Sequence, residues 1–170
     1  MSRVACFIGI AVAAFVYCGC SKPPHIHAGG RWEEPGPMVR EVKLVDTISP
    51  GFTSALHLEH ITGSAFLYPS GDQVSYFTYA ADTNKLLIAL SQLAFPLRDT
   101  LADVTYRTIT GEEWRALRST VDPYEISGAD FFWDADPSLY DIYVSTKVDH
   151  HLVLIGKVSG QVMHRISHNG

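Results

Sequence analysis

The chain has 170 residues, 46% of them apolar and 18% charged, with a formal net charge of −5. That length suits one domain with a real core. Lys and Arg are not clustered anywhere, so the cationic footprint of a nucleic-acid binder is missing, as is an electrostatic grip on anionic lipid. All three cysteines, Cys6, Cys18 and Cys20, lie within the first 20 residues. The remainder therefore has no internal disulfide, thiol nucleophile or cysteine metal ligand to draw on.

Arg3 precedes an uninterrupted apolar run, Val4 to Val16, which ends in Tyr17-Cys18-Gly19-Cys20. A basic start, a short apolar middle and a small-residue end are the order of a secretory signal. The run is too short for a spanning helix, which needs about 20 apolar residues. The small Gly19 directly before Cys20 makes the stretch resemble a bacterial lipoprotein signal with its lipobox. Tyr17 and Cys18 stand where that family prefers Leu and then Ser or Ala. The resemblance covers only these first 20 residues. It implies cleavage before Cys20 and a covalent lipid on that residue, with two or three acyl chains making a stable anchor where one is marginal. It also implies export and, with Ser21 after the cysteine, the periplasmic face of the outer membrane in a two-membrane host. On this reading residues 1–19 are the signal peptide, and the chain from Cys20 onward carries a net charge of −6, because the signal holds Arg3 and no acid.

Ser21 to Pro37 contains four prolines and three glycines and reads as a tether. Extended at about 3.1 Å per residue, it reaches roughly 50 Å. Trp32 is its one large apolar residue, placed either on the domain or at the bilayer interface.

Residues 38–170 read as a single α+β domain. Val39 to Ile48 alternates as a strand, stopped by Ser49-Pro50-Gly51. Ala55 to Tyr68 is a longer β-rich run bent at Gly63, and Pro69 to Asp72 turns into a returning strand, Gln73 to Ala80. From Asp82 to Phe95 the period becomes helical, with Leu86, Leu90, Leu93 and Leu97 in step, a cap at Asp82 or Thr83 and a stop at Pro96. Leu101 to Ile109 returns to a strand. Thr110-Gly111-Glu112-Glu113 is a capping box, opening a short helix with Trp114, Leu117 and Val121 on one face. Tyr124 to Asp141 is aromatic and acidic and reads as a short strand and a loop. Leu139 to Val148, His151 to Val158 and Gln161 to Ser167 form a three-strand meander, and its middle member, apolar on both faces, should be covered on both sides. The expected architecture is an antiparallel sheet of six or seven strands with two short helices packed on it.

Eight histidines are the most tempting chemical signal, since neutral imidazole is the commonest metal ligand. With cysteine unavailable and no His-Glu-x-x-His pattern, a metal site would have to gather His57, His60, His150, His151 and His164 with Asp or Glu from separate segments. Asp134, Asp136, Ser138 and Tyr140 mimic the start of a calcium loop, but Leu139 and Ser145 occupy the positions that need Gly and Glu. Phe131, Trp133 and Tyr140 could form a wet aromatic surface for an envelope protein or a glycan, which requires Trp133 to be exposed. No nucleophile elbow, phosphate loop or dinucleotide fingerprint is present. The expectation is a membrane-anchored, non-catalytic binding, structural or inhibitor/immunity-type module with no cofactor beyond the covalent lipid. The alternative is an envelope enzyme or metal protein built on His and Asp or Glu.

Overall fold

The computed structural model describes residues 35–93, 106–145 and 150–168; the expected signal, Cys20 and the tether as far as residue 34 lie outside them. Strand β1 (Met38–Lys43) follows the first alternation but ends earlier than expected. Leu44–Thr47 makes one helical turn, α1, which drives Leu44 fully into the core. Pro50 then starts a helix rather than merely stopping a strand. It opens α2 (Pro50–Leu56), where the missing N–H has no helical partner to lose. This overturns the expectation of one long strand from Ala55 to Tyr68. α2 buries Phe52 and closes at His57, whose φ of 56° is left-handed, and β2 (Thr62–Leu67) begins only after a turn.

Gly63 is a close approach. A Cβ there would lie 2.0 Å from the Tyr76 carbonyl oxygen, so no larger residue fits without moving backbone. The turn at Gly71 (φ 95°) leads into β3 (Gln73–Ala80), as expected. Asp82 caps α3 (Thr83–Leu93), its Oδ1 accepting from the Lys85 amide at 2.9 Å, and Leu86 and Leu90 are fully buried. Leu97 and residues 101–105 lie outside the described residues, and β4 (Tyr106–Thr108) is the described part of the next expected strand.

The capping box forms at the start of α4 (Gly111–Arg118). Thr110 Oγ1 accepts from the Glu113 amide at 3.2 Å, and Glu113 Oε2 accepts from the Thr110 amide at 2.8 Å. Thr110→Ala is expected to lower stability by about 1 kcal/mol. Urea denaturation checks this, and an unchanged midpoint would mean the box is not formed in solution.

Tyr124 to Asp141 is not strand and loop. It makes two short helices, α5 (Pro123–Gly128) and α6 (Asp130–Trp133), followed by a 3-10 turn at Pro137–Leu139. The cause is local: Asp122 Oδ1 accepts from the Tyr124 amide at 2.7 Å, and Pro123 occupies the first helical position. β5 (Tyr140–Ser145), β6 (His150–Gly156) and β7 (Gln161–His168) form the expected meander; residues 146–149, which carry its first turn, lie outside the described residues.

The fold is α+β. Among the described residues seven strands pair antiparallel in the order β1-β2-β3-β7-β6-β5-β4. Short helices cover both faces. One core gathers Leu44, Phe52, Leu86 and Leu90 from α1 to α3 against Phe77, Val153, Ile155 and Ile166 of the sheet. The other gathers Trp114, Phe132 and Trp133 from α4 and α6 against Tyr76, Leu152, Leu154 and Met163. β6 alternates between these two cores, which is why both of its faces are apolar. Edge strand β1 carries Arg40, Glu41 and Lys43, charges that discourage further strand pairing.

Candidate binding site

The aromatic helices build the floor of the site. Trp114 and Trp133 stack with ring centres 5.0 Å apart, and Phe132 meets Trp133 edge-on at 5.1 Å and Tyr76 at 5.1 Å. Burying this cluster is favourable, but it carries polar atoms into the core, and these must be partnered. The Tyr76 hydroxyl is the hub. It donates to Glu125 Oε1 and accepts from Trp133 Nε1 at 2.7 Å and from Arg165 Nε at 3.2 Å. Arg165 Nε also donates to Glu125 Oε1 at 2.6 Å, closing a buried ion pair in which the Glu125 side chain is 4% exposed and that of Arg165 15%. The Arg165 guanidinium lies over the Trp133 ring at 5.8 Å. Burial works against the Arg165 charge, but the Glu125 hydrogen bond and attraction outweigh it and raise its pKa. Burial holds the Tyr76 phenol well above its ordinary range.

This ion pair lines a cleft of about 310 Å³ between α4, α5 and strands β5 to β7. Leu117, Val121, Val144 and Leu152 supply apolar wall, while Asp122, Glu125 and Arg165 supply charge. The Arg165 terminal nitrogens have no protein acceptor among the described residues. Among those residues only the Tyr68 and Tyr106 hydroxyls are fully buried without a partner. Both Nη groups therefore reach solvent, while the Glu125 carboxylate stays buried beside the Tyr68 hydroxyl, whose pKa burial and that negative charge together raise. The cleft thus offers a guanidinium edge and two carboxylates beside an aliphatic wall.

The sequence-predicted residues fare differently. Trp133 is 1% exposed, so the surface that required it to be exposed does not exist; its indole N–H is spent on Tyr76. Phe131 is 47% exposed, and its neighbour Phe132 is fully buried. Tyr140 is half-buried along a separate groove of about 410 Å³ with Arg115 and Lys157. Those two cations are exposed, which makes that groove electrostatically weaker than the cleft with the buried ion pair.

His57 and His60 are exposed in the α2–β2 connection, and the His150 side chain lies outside the described residues. His151 and His164 do meet. His164 Nε2 lies 3.0 Å from His151 Nδ1, and the Tyr79 hydroxyl 2.9 Å from His164 Nδ1, in a buried string on the opposite face of the sheet. Burial pushes the His164 pKa down to about 3. No three His, Cys, Asp or Glu among the described residues converge as a metal group. Asp134 is paired with Arg118 at 2.7 Å, and Asp136 Oδ1 accepts from the Ser138 amide at 2.9 Å, so this stretch serves local structure.

Glu125 and Arg165 are the residues that sequence reading missed. The available signal was an acid after a proline and a base within a strand, each common alone and informative only as a pair. No protein-family model, curated protein or solved structure matches this chain.

Proposed function

We propose that this chain is a lipid-anchored lipoprotein of the cell envelope whose folded domain is a non-catalytic binding module, working from the cleft beside Arg165. The observation that carries the anchor is the order Arg3, Val4 to Val16, Gly19, Cys20, followed by a chain with no further cysteine. Two or three acyl chains hold a protein stably where one does not. In a host with two membranes the location is the outer membrane, facing the periplasm. The binding reading is supported by how the buried polar groups are used. Glu125, Arg165 and Tyr76 bond to one another, and His164 bonds to His151 and Tyr79. Such groups hold a shape, while the free guanidinium edge offers recognition.

Metabolic labelling with an alkyne fatty acid tests the anchor. The wild-type chain is expected to take up label and Cys20→Ser to take up none. Cys6 and Cys18 remain in that variant, so label retained on it would contradict Cys20 as the site.

A further inference from the structure

We infer that the Arg165 cleft binds a small zwitterion with an aliphatic side chain, that is, a free aliphatic α-amino acid. This rests on reading the same cleft as a binding site. The first argument is the unused edge of Arg165. Its Nε is committed to Glu125 and Tyr76, while Nη1 and Nη2 are unacceptored among the described residues and reach solvent where Arg165 lines the cleft. Two parallel N–H groups on a planar fork match a carboxylate. The guanidinium cannot swing away, because Glu125, Tyr76 and the Trp133 face fix it, so the recognition edge is preorganised.

The second argument is charge balance. Arg165 is already neutralised by Glu125, and Asp122 adds a second carboxylate to the same wall. Asp122 Oδ1 caps α5, and Oδ2 has no hydrogen-bond donor among the described residues. Among the described residues, two acids to one base make the cleft net negative. A simple carboxylate would worsen this, whereas a ligand that also brings an ammonium group restores it.

The third argument is size and wall. About 310 Å³ is at the small end for ligand cavities. Leu117, Val121, Val144 and Leu152 offer aliphatic contact. Leucine satisfies all three conditions: carboxylate on the Arg165 Nη pair, ammonium toward the Asp122 carboxylate, side chain on the wall.

The test is titration calorimetry on the full chain as purified from its cell, in mild detergent if it is membrane-bound. The probes are leucine, 4-methylpentanoate (no ammonium) and 3-methylbutylamine (no carboxylate). Leucine is expected to bind with a dissociation constant of about 1 mM or below. Each single-charge analogue should bind at least about tenfold more weakly. Asp122→Asn keeps the cap, since Asn caps as well as Asp. It should weaken leucine about tenfold and leave 4-methylpentanoate unweakened. Arg165→Lys retains a cation for Glu125 but loses the fork, and should also weaken leucine about tenfold. Heat for leucine that is absent at about 20 mM, equal binding of leucine and 4-methylpentanoate, or an Asp122→Asn chain with unchanged leucine affinity would each overturn the inference. The outcome is independent of the anchor: a lipidated chain that ignores leucine fails here alone, and an unlipidated chain that binds it fails only as a lipoprotein.

Discussion

Arg165→Met should lower the stability of the domain by about 3–5 kcal/mol, because it strands the Glu125 carboxylate inside the protein with its countercharge gone. The Glu125 side chain is 4% exposed and has the Tyr76 hydroxyl as its other partner, which cannot replace a cation. Combining Arg165→Met with Glu125→Leu should regain most of the loss, since removing both charges removes the desolvation cost as well as the attraction. Urea denaturation of the wild type, each single variant and the double variant closes the cycle, and the coupling between the two sites should exceed about 1 kcal/mol. A single variant within about 0.5 kcal/mol of wild type would mean the pair is solvated in solution, and the cleft would lose its preorganised edge.

The opposite face of the sheet carries the second large effect. The domain should lose about 2 kcal/mol of stability between pH 7 and pH 5, through His164. The sign follows from proton counting. Burial holds folded His164 at about 3, so it stays neutral across this range, while in the unfolded chain the imidazole, at its ordinary 6.5, takes up a proton. The unfolded state therefore binds more protons below pH 6.5, and stability falls with pH from there down to about 3. The cause is burial: protonation would place a cation among Phe52, Tyr79 and His151, with no carboxylate in contact among the described residues. His164→Gln retains a hydrogen-bonding side chain and cannot titrate, so its stability should be flatter over the same interval by about that amount. Equal pH slopes for the two proteins would show that His164 reaches solvent.

Much of the fold was legible from residue pattern. The alternation of Gln73 to Ala80, the helical period around Leu86 and Leu90, the Thr110–Glu113 capping box and the final meander all appear as expected, because each is a local rule that tertiary packing reinforces. The errors share a cause. Pro50 reads as a strand stop and the residues after Pro123 as a short strand and a loop, but in the structure each proline begins a short helix too brief to show a helical period. Trp133 follows from the same error: in a single helical turn Phe132 and Trp133 both face inward, a pattern alternation cannot produce. The Glu125–Arg165 pair was invisible for another reason. It joins residues 40 apart across a helix and a strand, and only the packing of Tyr76 and Trp133 brings them together. The His151–His164 string was half legible, as two histidines in neighbouring strands. The register that seats His164 beside Val153 and next to His151 comes from the sheet.

The anchor is the claim on which the cellular reading turns, and mass spectrometry of the amino-terminal peptide from the membrane fraction tests it most directly. The account predicts a chain that begins at Cys20 and carries a diacylglyceryl thioether with a further acyl group on its new amino terminus. An unmodified Cys20, or a peptide that still includes Gly19 and the residues before it, would contradict it.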